Sequence, residues 1–432
     1  MTQSWFLKRQ SVSLYPDPSR VVVRPFKHAT EPRKLNPIDK SRANHIIDRV
    51  LDLDLKAVDE KLRRVLEDFE GRHRRLTEAF EARGAEMEEM LNLSDTLTDT
   101  QRCLIGAYFL HEYSFEASAL FNPSIVLDPD QSDAPENGCR FILSLRAVGE
   151  GHISSLTFRS GTVAADGCIT IDPTTRLASV PEIRSLNAGQ NGDGVDVVFQ
   201  TEDTLCERVI FPVTDSQANG IEDARFVEFN DEGRKVYYAT YTAYSGTAIR
   251  SELLETSDFK SFLMKPLSGD AASNKGMALF PRKINGRYAM IARHDNENLY
   301  LVYSDDLYNW EGGEPILKPE YPWEFVQIGN CGSPIELDDC WLLLTHGVGA
   351  VRKYSIGAVL LDKEDPSKVL ARSPEPLIRP DPAEREGYVP NVVYTCGAMR
   401  CGEQIILPYG VSDTFTNFAT INIEDLMQAL TG

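Results

Sequence analysis

The chain has 432 residues, 25% of them charged and 42% hydrophobic, the balance of a folded globular protein. Its formal net charge of −20 argues against nucleic acid or an anionic membrane as partner and favours neutral or small ligands. The length suits one large β domain with an accessory segment, or two to three ordinary domains. Scattered cysteines read as reduced thiols, with no leader-like start and no membrane-length apolar run, make a cytoplasmic location the expectation.

Residues 1–40 are rich in Pro and Arg and read as irregular, apart from a strand-like run at Val21–Val23. A helical region follows from Ser41 to Leu91. In it Leu62, Val65, Leu66 and Phe69, then Leu76, Phe80 and Met87, make an apolar stripe, while Glu60, Arg63, Arg64 and Glu67 fill the opposite face. That stripe must be buried, either on the rest of the chain or in a homo-oligomer built through these helices. Thr98-Asp99-Thr100-Gln101 has the form of a capping box and opens a further helix through Leu104, Ile105 and Tyr108. Residues 1–115 are therefore read as an N-terminal extension, irregular and then α-helical.

From Phe121 the texture changes to short apolar runs separated by turn clusters. The runs are Arg140–Ala147, His152–Phe158, Val195–Phe199, Val236–Thr242, Tyr288–Ala292, Leu299–Tyr303, Trp341–Thr345, Ile356–Leu361, Val392–Tyr394 and Gln404–Tyr409. With Asn285-Gly286 and Asp166-Gly167 as turns, the pattern predicts an all-β domain over 116–432. Leu254–Phe262 resembles Val302–Trp310: a strand ends in Ser-Asp and an aromatic follows a short turn. A repeat of roughly 50 residues in an all-β chain predicts propeller blades, about five or six of them.

Several familiar motifs fail on inspection. His111-Glu112 begins like a zinc-protease helix, but Phe115 stands where the second histidine is needed. Gly189–Gly194 lacks the Lys-Ser/Thr of a phosphate loop and reads as a turn, and there is no Gly-x-Ser-x-Gly elbow. The eight cysteines, Cys103, Cys139, Cys168, Cys206, Cys331, Cys340, Cys396 and Cys401, contain no Cys-x-x-Cys pair, so buried reduced thiols are expected.

Polar residues lodged in apolar frames carry the chemistry. Gly220-Ile221-Glu222-Asp223-Ala224-Arg225 places two acids and an arginine in one strand-like segment. Strand alternation puts Asp223 and Arg225 on one face and turns Glu222 to the other. Asn122 sits in Leu120-Phe121-Asn122-Pro123, Lys275 precedes Gly276–Pro281, and Arg146, Arg293 and His346 each end an apolar strand. A single cation so placed is an ordinary ion-pair partner. Several around one cleft of an acidic protein make an anion site, since each charged hydrogen bond to phosphate contributes about 1.5–3 kcal/mol.

In order along the chain, Phe121–Pro123, Leu145-Arg146, Gly220–Arg225, Asn274-Lys275, Leu279–Pro281, Thr345–Val348, Ile356–Asp362, Val389–Val393 and Tyr409–Asp413 resemble glycoside hydrolase family 130. The resemblance spans Phe121 to Asn422. It implies a five-bladed β-propeller with a central active site, and an inverting phosphorylase that cleaves β-mannosides with inorganic phosphate to give α-mannose 1-phosphate. Asp223 matches the general acid, whose proton is relayed through the 3-hydroxyl of the bound mannose. Lys275, Arg293 and His346 match phosphate-binding positions, joined by Tyr354. Asn122, Arg146, Glu222, Arg225 and Asp413 fall to the sugar. Phosphate is the co-substrate, and neither cofactor nor metal is implied. Ala224 departs from the family's usual Pro.

Two other readings share these residues. An inverting mannosidase would need a base to activate water, for which Glu324, Glu384 and Glu386 are candidates. A non-catalytic sugar-binding propeller would not need Asp223 at all.

Overall fold

The computed structural model describes residues 6–26, 41–91, 97–188, 194–231 and 233–432. The turn expected at residues 189–193 lies outside these. The chain divides into a β unit, with residues 6–17, 115–175 and 179–432, and a helical unit, with 18–114 and 176–178.

The β unit is a series of antiparallel meanders. Strands Ala119–Leu127, Cys139–Val148 and Ser154–Val163 form the first, with Ile169–Ile171 on its outer edge. Gly220–Asp231, Arg234–Tyr244, Ile249–Thr256 and Ser261–Pro266 form the second, edged by the hairpin Glu182–Ala188/Gly194–Val198. One parallel pairing, Gly220 with Ser154, joins these two into a single sheet. The third meander is Ala278–Leu279, Tyr288–Ala292, Leu299–Ser304 and Glu314–Leu317. The fourth runs through Gln327–Asn330, Cys340–Val348, Tyr354–Asp362 and Val369–Arg372. In the last, Val393–Tyr394, Gln404–Val411 and Phe415–Asn422 are completed by Leu7–Leu14, which pairs with Phe415–Asn422. Among the described residues no sheet closes on itself.

Every apolar run expected as a strand lies in or against one. The repeat is real: Thr256 and Ser304 each end a third strand, and each side chain accepts a backbone N–H of the turn that follows. Aromatic side chains fill the second meander, where Phe158, Phe226, Phe259 and Phe262 meet at ring distances of 5.6–6.4 Å. Cys340–Val348 is buried at all nine positions, so both of its faces pack against protein. Such a strand reads as a continuous apolar run rather than an alternation. A cavity of about 230 Å³ is lined by Ile125, Phe226, Pro281, Ile335 and Met399, one residue from the early part of each meander.

Two expectations are corrected. The stretch expected to be irregular holds the strand Leu7–Leu14, which belongs to the β unit. The helices are therefore an insertion after that strand rather than an N-terminal extension over 1–115. The eight thiols are not all reduced: Cys139 and Cys401 form a disulfide between the first and last meanders, across 262 residues of sequence. No local spacing could reveal that pairing.

The helical unit contains α1 (Arg42–Leu51), α2 (Leu55–Asp68), α3 (Leu76–Met90) and α4 (Asp99–Tyr108). Ser41, Asp54 and Thr98 cap α1, α2 and α4, and the Thr98–Gln101 capping box forms as expected. Asp54 is what divides the first two helices, because its carboxylate accepts from Ala57 N–H at 2.8 Å. Gly84 and Gly106 let α3 and α4 touch. A Cβ on Gly106 would lie 1.8 Å from the Phe80 carbonyl oxygen. Leu62 and Phe80 of the stripe are buried with Cys103, with Val65, Leu66 and Leu76 packed against them. No described helix is long and apolar enough to cross a membrane.

Candidate active site

The site is built where strands lose their regularity. Pairing of Ala119–Leu127 skips between Phe121 and Ser124, and pairing of Gly220–Asp231 skips between Glu222 and Arg225. Asn122 and Asp223, inside these skips, take left-handed backbone angles, φ 47° and 53°, and Asp413, in the turn before Phe415–Asn422, takes 49°. Each such residue costs about 1–3 kcal/mol, and such strain persists where the surrounding structure enforces it. Here the enforcement is visible. Ser124 Oγ accepts from Phe226 N–H at 2.9 Å, tying the two bulged strands together. Asn122 Nδ2 then donates to Asp223 Oδ1 at 2.7 Å.

Arg146 is the hub on the sugar side. Its Nε donates to Ser154 Oγ at 2.9 Å, one terminal nitrogen lies 2.6 Å from Glu222 Oε1, and the other 3.4 Å from Asp223 Oδ1. Its guanidinium lies 5.2 Å from the Phe121 ring centre. Both acids therefore reach one cation, which corrects the expectation that Glu222 turns away. The bulge inserts a residue and cancels the alternation on which that expectation rested. Arg225 is corrected too. It donates to the backbone carbonyl of Asp223 at 3.0 Å and to the Tyr394 hydroxyl at 2.6 Å, so it braces the bulge rather than gripping the carboxylate.

The two carboxyls titrate apart. Burial alone would raise Asp223, but Arg146, Arg225, Lys275 and the Asn122 hydrogen bond together hold it below the usual carboxylate range. Asp413 is pushed up to about 6, first by burial and then by the charge of Asp223. One group is held ionised and the other keeps a proton far longer.

Opposite them lies a cluster of donors. Arg293 is 7% exposed, and its Nε is buried without a partner. Among the described residues neither Arg293 nor the Lys275 ammonium forms a side-chain hydrogen bond or ion pair. Burial, then the nearby Arg225 charge, lowers the pKa of Arg293. Gly276, at φ 102°, passes so close that a Cβ would sit 3.3 Å from Arg293 Nε. His346 is 3% exposed, its ring stacked on Tyr354 at 5.8 Å and met edge-on by Tyr394 at 5.0 Å. Burial, Arg293 and Arg225 hold its pKa well below the imidazole range, so His346 is neutral and not the third cation expected from sequence.

The structure gathers into one cluster the ten residues that the family resemblance assigns to proton, phosphate or sugar. It adds Tyr394, which the sequence reading left as the end of an apolar run, and Arg352, whose guanidinium lies 5.8 Å from the Tyr354 ring centre. The polar tip of Val393-Tyr394 was the one available signal. Among the described residues no group of His, Cys, Asp and Glu is arranged to hold a metal.

The sequence model of glycoside hydrolase family 130, described as beta-1,4-mannooligosaccharide phosphorylase, matches residues 182–431. Asn122 and Arg146 precede that match, so their place in the site rests on geometry. A 1,2-beta-oligomannan phosphorylase of Thermoanaerobacter sp. (strain X514) is 37% identical over 217 residues, 49% of this chain and 72% of the relative. A beta-1,2-mannobiose phosphorylase of Listeria innocua is 32% identical over 238 residues, 52% of this chain and 65% of that protein. The solved Listeria innocua enzyme in complex with beta-1,2-mannobiose superposes with a TM-score of 0.52 at 21% identity, covering 72% of this chain and 92% of that one, which supports a shared fold. The chain belongs to glycoside hydrolase family 130.

Proposed function

We propose that this protein is an inverting β-mannoside phosphorylase on a five-bladed propeller, cleaving a β-mannosyl linkage with inorganic phosphate to release α-mannose 1-phosphate. The observation that carries this reading is the pair of uncompensated cations, Lys275 and buried Arg293, facing a held carboxylate. A buried guanidinium without a counter-ion is expensive unless a ligand supplies the charge. Phosphate supplies it.

An ionised Asp223 is a poor acid in the empty site. When phosphate enters, its negative charge offsets Lys275 and Arg293, and the proton affinity of Asp223 rises accordingly. Asp223 then gives its proton, through the mannose 3-hydroxyl, to the departing glycosidic oxygen as the bond from the anomeric carbon breaks. A phosphate oxygen forms the new bond on the opposite face. The acid is restored by the proton left on the sugar phosphate. Asn122, Arg146 and Asp413 hold the mannose in line, which is worth most when the reacting atoms are already near contact.

Two features weigh against the mannosidase. Glu324 is fully buried, bonded to Arg372 and accepting Glu320 and Tyr321 N–H groups at 2.9 and 3.0 Å. Glu384 accepts from Arg9 at 2.5 Å and from Tyr409 and Asn417 at 3.0 Å. Both are committed to the fold, which leaves exposed Glu386 as the one of the three candidate bases that cleavage without phosphate would have to use. Five blades are supported by five meanders, each of which contributes a residue to one cavity. The relatives described above, named for β-1,2 linkages, put β-1,2-mannobiose first in the substrate panel.

The test is cleavage of β-1,2- and β-1,4-mannobiose with and without phosphate. Phosphate-dependent cleavage yielding α-mannose 1-phosphate is expected. In Arg293→Ala, use of phosphate should weaken by about 10- to 150-fold, with little change in mannose binding. Equal rates without phosphate, with mannose as the only monosaccharide, would overturn the reading.

A further inference from the structure

We infer, building on the phosphorylase reading above, that His346 accepts a hydrogen bond from the protonated oxygen of the bound anion through Nε2, so that the site selects a tetrahedral dianion bearing a hydroxyl over one without.

The tautomer follows from one contact. His346 Nδ1 lies 3.3 Å from the Asn330 carbonyl oxygen, with the Cys331 sulfur farther off at 4.0 Å. Two lone pairs cannot face each other at that distance, so Nδ1 carries the hydrogen and donates it. The ring cannot readily leave this pose. Tyr354 stacks on it at an interplanar angle of 12°, Tyr394 closes its edge at 72°, and a Cβ on Gly329 would lie 2.2 Å from Cε1. A second proton would add an imidazolium beside Arg293 and Arg225, whose charges outweigh that of Asp223 there. Nε2 therefore presents a lone pair, and among the described residues it has no partner.

That makes it an exception in its surroundings. Lys275 and Arg293 can only donate. An anion with four bare oxygens suits them and meets Nε2 with lone pair against lone pair. Hydrogen phosphate dianion has three oxygens for the donors and one hydroxyl for His346. Its orientation is then fixed, and a bare oxygen is kept for the anomeric carbon. Sulfate matches it in charge and shape and lacks only the hydroxyl. Arsenate keeps the hydroxyl.

The experiment is calorimetric titration of the whole protein, near neutral pH, with phosphate, arsenate and sulfate separately. Arsenate should bind nearly as well as phosphate, and sulfate about 10- to 100-fold more weakly, the effect of an unpaired acceptor at a charged site. His346→Gln, whose amide can turn its NH₂ toward the anion, should bring sulfate close to parity with phosphate. If that variant does not fold, the ratio of the three anions on the native protein decides alone. Equal binding of sulfate and phosphate there, with phosphate-dependent cleavage intact, would overturn the role of His346 and leave the phosphorylase standing. Absence of binding by all three, with phosphate-independent cleavage, would overturn the phosphorylase reading and this role with it.

Discussion

Asp223 combines two conditions that strand residues rarely share, a left-handed backbone and a buried charge. Neither is tolerated without support, and the support comes from Asn122, Arg146 and the Arg225 brace. Asp223→Asn preserves size and much of the hydrogen bonding while removing the proton. Turnover should therefore fall by about 10²–10⁴, with binding of α-mannose 1-phosphate retained in calorimetry. Near-normal turnover would remove Asp223 from the chemistry. Asp413 makes a different prediction, because its folded pKa, about 6, stands above the ordinary 3.8. Between those values the native state keeps a proton that the unfolded chain has released, so stability falls as pH rises through the window and stays lower above it. Asp413→Asn removes that slope. The variant should match the native protein in denaturant midpoint near pH 4 and exceed it above pH 6, by about 3 kcal/mol at most, while binding mannose less well. A stability difference independent of pH would show that the carboxyl is not held protonated.

At the scale of elements, the site depends on bare backbone as much as on side chains. Gly329 pairs with His346 across adjacent strands, and the imidazole occupies the space a side chain would take. Gly329→Ala should weaken phosphate binding, read by titration, although residue 329 has no side chain to offer phosphate; unchanged affinity would mean the ring has room to shift. The same scale shows why some features were legible and others not. The capping box at Thr98 and the apolar runs of the meanders are local patterns, set by residues a few positions apart. The bulges at Asn122 and Asp223 are not. Each depends on which strand lies alongside, so alternation read from Glu222, Asp223 and Arg225 alone gave Glu222 the wrong face. The charge of His346 was illegible for a related reason: its burial, then the charges of Arg293 and Arg225 from distant segments, decide it. Motif order nevertheless picked out residues that the fold gathers into one cluster, because the family resemblance carries contacts that periodicity cannot.

For the whole molecule, Cys139–Cys401 links the first meander to the last. A crosslink over so long a loop acts mainly by restricting the unfolded chain, and is typically worth about 2–4 kcal/mol. Reductant should lower the melting temperature of the native protein and leave that of Cys139→Ser, already lower, unchanged. Equal sensitivity in both would place the thiols outside the stability of the fold.

The strand Leu7–Leu14 pairs with Phe415–Asn422 more than four hundred positions away, with the helical unit lying between it and the rest of the β unit in sequence. In kinetic terms the contact closes a very long loop, the slowest kind to form. Until it forms, Phe415–Asn422 offers its unpaired backbone edge to any strand that arrives first, including the same segment of another molecule. The order of assembly thus sets a race between a tethered strand and its untethered competitors, and protein concentration during refolding decides which of them wins.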